Sequence, residues 1–197
     1  TVHLSAAAMT QRVFVNLGEV YFGQGDLQVE TLLGSCVAIT LWHPVRHFGG
    51  LCHFVLPERC HAPRLDADGE QVHEAPDGRY GDEALSRLLE QVRAHGTRIA
   101  DYTVKVFGGG NVLGLPPTKL RIGQANADFA LDILQQHHIP VTAQDVAGEG
   151  YRYLRFDLNN GDVWVRRGHG VSHDMEKVPA AAVGRPQRNA AVGKERT

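Results

Sequence analysis

Thr31-Leu32-Leu33-Gly34-Ser35-Cys36-Val37-Ala38-Ile39-Thr40-Leu41-Trp42 is answered, beyond His43-Pro44-Val45-Arg46, by Gly49-Gly50-Leu51-Cys52-His53-Phe54-Val55-Leu56-Pro57. Both segments are rich in β-branched and large apolar residues, and the proline-bearing stretch between them punctuates like a turn, so they read as a β-hairpin. Pro44 suits the second position of a turn, where its fixed φ is already correct. A turn centred between Pro44 and Val45 sets Cys36 opposite His53. A slip of one residue pairs Cys36 with Cys52 instead and sends His53 to the other face, because side chains alternate along a strand. In the first register the two β carbons lie about 5 Å apart. There the imidazole takes the thiol proton, and the resulting nucleophile is expected to react below the pH of a free thiol. Gly34 permits close backbone approach, and amides around Ser35 are candidate oxyanion donors. The same residues also fit an inert buried cysteine beside a core histidine.

Upstream, Arg12 to Leu17 and Leu27 to Leu33 read as strands, the second delivering the chain to Gly34 with Thr31 near its end. Downstream, Pro57 to Arg79 has no periodicity and reads as a long surface loop able to cover the Cys36 site. From Tyr80 to His95, Ala84, Leu85, Leu88, Leu89 and Val92 recur on one helical face, with Asp82 and Glu83 in the first turn. Asp101 to Phe107 alternates as a strand into Gly108-Gly109-Gly110, and Gln124 to His137 is a second helix. Val141 to Val146, Tyr151 to Leu158 and Asp162 to Arg166 close the domain as strands, the last two joined by Asn159-Asn160-Gly161. The order strands, helix, strand, helix, strands predicts an α+β or layered α/β domain with a mostly antiparallel or mixed sheet. The expected organisation is a flexible N-terminus (1–11), one domain (12–167) and a disordered tail (168–197).

A chain of 197 residues with 43% hydrophobic content can bury one good core. Its formal net charge of -2 offers no basic field for nucleic acid. Three cysteines without dense spacing argue against a disulfide framework. No apolar run approaches the roughly 20 residues that span a bilayer, and Thr1 to Thr10 has no secretory pattern, so a cytoplasmic protein is expected. Cys52, Cys60, His61, His137 and His138 lack metal-ligand spacing, and no metal or organic cofactor is expected. The glycine run lacks the P-loop lysine. Lys105, mid-strand beside it, reads as a snorkelling lysine before a catalytic one.

Leu33-Gly34-Ser35-Cys36-Val37-Ala38 and Gly49-Gly50-Leu51-Cys52-His53-Phe54-Val55-Leu56-Pro57 resemble the signature of the CheD family of chemoreceptor glutamine deamidases. Arg79-Tyr80-Gly81-Asp82, Lys105-Val106-Phe107-Gly108-Gly109, Ile122-Gly123 with Asn126, and Arg152 with Phe156 and Gly161 extend the match in order, from about Phe14 to Val165. The resemblance implies a three-layer α/β/α domain similar to the catalytic domain of cytotoxic necrotizing factor toxins. It implies hydrolysis of receptor glutamine side chains to glutamate, without a cofactor, with Cys36 as nucleophile, His53 as its histidine and Thr31 as the third member. The implied partners are the cytoplasmic regions of methyl-accepting chemotaxis proteins and a CheC-type phosphatase. Two positions depart from the family pattern: Ala125 where an arginine is usual, and Ala147-Gly148 where paired glycines are. Another cysteine acyl hydrolase and a CheC-binding regulatory module are the competing functions.

Overall fold

The computed structural model describes residues 10–59, 66–70, 74–112, 122–168 and 176–178. Its elements in chain order are β1 (Gln11–Phe14), β2 (Val20–Gln24), β3 (Leu27–Leu33), β4 (Val37–His43), β5 (Phe48–Phe54), α1 (Gly81–Ala94), a short 3-10 turn (Ile99–Asp101), β6 (Thr103–Gly108), α2 (Ile122–Gln136), β7 (Ala143–Val146), β8 (Tyr151–Asp157), β9 (Val163–Gly168) and β10 (Glu176–Val178). Every residue of β4 and β5 is buried, so the hairpin is covered on both faces, as its near-continuous apolar runs require.

Two different layers supply the cover. On one face Val37, Ile39, Cys52 and Phe54 pack with Leu85 and Leu88 of α1 and with Ala127, Ala130 and Leu134 of α2. On the other, Ala38, Trp42, Leu51 and Phe107 pack against Val29, Leu33, Leu154 and Phe156 of a second sheet. The central sheet runs β2-β5-β4-β6-β7 and the outer one β1-β3-β8-β9-β10. Both are mixed: β1 with β3 and β6 with β7 are parallel, and the other pairs antiparallel.

The mixed α+β character matches the sequence reading, but the α/β/α layering needs correction. Both helices lie on one side of the central sheet, and a second sheet covers the other. The physical reason is visible in β8, whose residues alternate between buried and more exposed along the strand, the pattern of a sheet with one wet face. The near-continuously apolar β4 shows that something covers each face without saying whether it is a helix or a sheet.

The hairpin turn is also corrected. His43 pairs with Phe48 and Ala38 with His53, so the loop is 44–47 and its centre falls between Val45 and Arg46. The His43 ring braces that loop: its Nδ1 accepts the backbone N–H groups of Val45 (3.3 Å) and Arg46 (3.2 Å). His47 N–H also bonds the His43 carbonyl at 2.9 Å. The imidazole thereby caps the turn and lets β4 continue through His43.

Residues 60–65 and 71–73 of the expected loop, with Cys60 and His61, lie outside the described residues. The described part is anchored: Arg59 pairs with Glu83 at 2.9 Å and with Glu74 at 2.5 Å, and its guanidinium lies 5.0 Å from the Tyr80 ring centre. Of the segment read as a tail beyond Gly168, residues 176–178 form β10 against β9. Lys105 does not snorkel. It is 1% exposed, and its Nζ donates to the carbonyls of Gly161 (2.9 Å) and Val178 (3.0 Å). Burial holds its pKa down at about 8.

Candidate active site

Between β3 and β4 three consecutive residues, Gly34, Ser35 and Cys36, are half-buried between the buried Leu33 and Val37. The chain surfaces here because the sheet ladder ends: β4 starts at Val37, paired with Phe54 and Gly108. The segment is nevertheless held firmly, since each of its carbonyls has a protein donor. Gly110 N–H bonds the Gly34 carbonyl (2.8 Å), Asn126 Nδ2 the Ser35 carbonyl (2.9 Å), and Gly109 N–H the Cys36 carbonyl (2.7 Å).

The glycine run after β6 is therefore a brace rather than a phosphate loop. Gly108 sits at φ +110, and a β carbon there would stand 2.2 Å from the Cys36 carbonyl oxygen. One at Gly109 would stand 2.5 Å from the carbonyl oxygen of Gly123, in the first turn of α2.

Cys36 lies two positions before Ala38, the partner of His53. The register thus differs from the expected one by two residues, which preserves the face, and Cys36 stands one residue before the ladder begins, offset from His53. The fully buried Cys52, one residue from His53, belongs to the helix-side core, whereas Cys36 packs against the core between the sheets.

Thr31, on β3 of the outer sheet, closes the group. Its Oγ1 lies 2.7 Å from the Val15 carbonyl oxygen and 2.9 Å from His53 Nδ1. A carbonyl only accepts, so the hydroxyl proton lies between Thr31 and Val15. Thr31 can then only accept from the imidazole, and His53 carries its proton on Nδ1. A second contact, Nδ1 to the Val15 carbonyl at 3.4 Å, agrees. The lone pair is left on Nε2, which is buried and has no hydrogen-bond partner among the described residues.

Burial pushes the Cys36 thiol up from its ordinary pKa, while a backbone hydrogen bond within the residue pulls weakly the other way. Burial also pushes the His53 imidazole down, opposed by the Val15 carbonyl and by the charge of Glu19. Both effects favour neutral forms at neutral pH. These directions run against a thiol that reacts below the pH of a free one, because both groups lose hydration that their charged forms need.

The brace was not legible as part of the site, and neither was the Val15 carbonyl, since a backbone oxygen leaves no side-chain signature. Asn126 did leave one: a polar residue on the helix face that buries Ala127, Ala130 and Leu134. Among the described residues no group of three or more histidine, cysteine, aspartate or glutamate side chains could hold a metal ion. None of the described helices is long and apolar enough to cross a membrane.

A sequence model described as CheD chemotactic sensory transduction matches residues 56–167. The chain is 40% identical over 172 residues to a Dechloromonas aromatica protein named "Probable chemoreceptor glutamine deamidase CheD 3", covering 87% of this chain and 96% of that one. It is 43% identical over 160 residues to a Pseudomonas fluorescens protein named "Probable chemoreceptor glutamine deamidase CheD", covering 80% and 85%. A protein of the same name from Maridesulfovibrio salexigens is 36% identical over 161 residues, covering 80% and 92%.

Proposed function

The chain belongs to the CheD family, and on that premise we propose that it hydrolyses glutamine side chains of methyl-accepting chemoreceptors to glutamate, with Cys36 as nucleophile and His53 as base. The observation that carries the reading is the direction of the Thr31–His53 bond, which leaves Nε2 as the basic atom. The relatives' names supply the substrate.

His53 Nε2 takes the thiol proton as Sγ attacks the carboxamide carbon, and the oxyanion is held by amides of the Gly34-Ser35-Cys36 turn. The imidazolium then gives its proton to the leaving nitrogen, the C–N bond breaks, and ammonia departs from a thioester. Water loses a proton to the same imidazole as it attacks the thioester, and the thiol takes the proton back as glutamate is released. Thr31 accepts from Nδ1–H throughout and keeps the ring in register. Residues 12–167 form the catalytic domain in this proposal, and the reaction is placed in the cytoplasm, where the receptor segments are. A CheC-type phosphatase is a second partner. The likeness to the cytotoxic necrotizing factor domain belongs to the same reading, supported by the mixed two-sheet core with its thiol at a strand end.

The test is incubation with a receptor cytoplasmic fragment, reading ammonia and the glutamine-to-glutamate mass shift by peptide mapping. Both are expected from the parent protein and from neither Cys36→Ala nor His53→Ala. Full activity in Cys36→Ala would overturn the mechanism.

A further inference from the structure

The paired strands that carry the two reacting groups separate at the point where the thiol stands. The β4–β5 ladder runs through Ala38–His53 to Val37–Phe54, and by its register the next rung would join Cys36 to Val55. That rung would draw Cys36 into the sheet. A side chain from the opposite layer stands there instead: Asn126 Nδ2 donates to the Ser35 carbonyl (2.9 Å) and to the Val55 carbonyl (2.8 Å). One amide therefore spans the residue before the nucleophile and the strand that carries the base.

The orientation of that amide is fixed by chemistry. Both neighbours are carbonyl oxygens, which only accept, so the nitrogen must face them. Asn126 is fully buried, and its Oδ1 is buried with no hydrogen-bond partner among the described residues. An unsatisfied buried acceptor works against stability, so optimising the fold alone does not account for the residue. Its position does: it stands in for a missing rung, keeping the Cys36 and His53 segments at sheet spacing while Cys36 stays half-buried and reachable.

We infer that Asn126 is a positioning residue for the reaction, acting through Ser35 and Val55 on the spacing of Cys36 and His53 and not on the receptor. The inference rests on the cysteine reading above. Its signature is a loss in kcat with KM retained, and a parallel loss of Cys36 alkylation that does not need receptor at all.

Asn126→Ser and Asn126→Asp are the informative variants. Serine is too short to span both carbonyls, and aspartate is nearly isosteric but presents oxygen to oxygen. Each is expected to lower kcat on a receptor fragment at least tenfold with KM within twofold. Each is also expected to slow iodoacetamide modification of Cys36 at pH 7.5 by a similar factor, per folded molecule. In the unmutated protein the Asn126 side-chain amide protons should exchange slowly with solvent. A kcat within twofold of the parent in either folded variant would overturn the inference. So would unmoved Cys36 alkylation, fast exchange of that amide, or failure of both variants to fold, which would make Asn126 a residue of the fold. Cys36→Ala, run alongside, separates the two levels. If it stays active the cysteine reading fails; if it is dead while the Asn126 variants are fully active, the positioning role alone fails.

Discussion

Cys36, one residue before β4, and His53 of β5 lie on the side of the central sheet that Cys52 does not share. Adjacent residues of β5 therefore serve opposite layers, and the thiol of Cys52 is out of play.

Thiol reactivity should follow that division. Cys52 is fully buried, and burial pushes its pKa up to about 12, whereas Cys36 is half-buried. Iodoacetamide at pH 7.5 is expected to modify Cys36 in the native protein and Cys52 only after unfolding. His53→Ala should slow the Cys36 reaction. Equal rates at the two cysteines in the native state would contradict the site.

Thr31 contributes as an acceptor, so the substitutions that matter are those that remove its oxygen. Thr31→Val should lower kcat about 10- to 100-fold, part of what positioned proton transfer contributes. It should cost roughly 1 kcal/mol in stability, read from the urea midpoint. Thr31→Ser, which keeps the hydroxyl, should stay within a few-fold of the parent. A valine variant with unchanged kcat would show that the Val15 carbonyl orients the ring by itself.

The pH dependence follows from the direction of the His53 shift. The base must be neutral, and a lowered pKa means that it sheds its proton at lower pH. The acidic limb of kcat on a receptor fragment should therefore fall below pH 6.5, the ordinary imidazole value. Stability carries the same sign. The folded-state pKa lies below the unfolded one, so this contribution is complete above pH 6.5 and is lost as pH falls through the depressed value. The difference in unfolding free energy between the parent and His53→Gln should shrink over that window. An acidic limb above pH 6.5 would refute the assignment of His53 as a desolvated base.

Two backbone positions near Cys36 should respond in opposite ways. Gly108→Ala puts a β carbon against the Cys36 carbonyl at a φ unsuited to L residues, and should destabilise by at least about 2 kcal/mol. Ala147 already occupies the left-handed region at φ +60, one residue after β7, and its N–H bonds the Gly108 carbonyl at 2.8 Å. Ala147→Gly relieves that strain and should stabilise by roughly 0.5 kcal/mol after the added freedom of the unfolded chain is subtracted. Thermal midpoints of the two variants check both signs.

The sequence carried β3 from Leu27 to Leu33, the hairpin, and α1 to within a residue at each end, because apolar period and turn chemistry are local signals. Of the expected set Cys36, His53 and Thr31, the structure brings His53 and Thr31 into direct contact. The hairpin register was not legible, because the His43 ring caps the turn from inside, a use of histidine that composition does not announce. The second sheet was hidden for a different reason. Its strands come from both ends of the chain, with β1 and β3 on one side of the helices in sequence and β8 and β9 on the other, and such long-range pairing leaves no mark in a local window. Ala147 was visible as a departure from the family pattern, and its strained φ is what that departure entails.

The alternation along β5 separates two kinds of mutational freedom. Changes at Cys52 and Phe54 are absorbed by the helix layer, while changes at Leu51 and His53 are felt between the sheets. A protein built this way can exchange helix-side packing over generations without disturbing its chemistry, and Asn126, which ties α2 to both reacting segments, marks where that freedom stops.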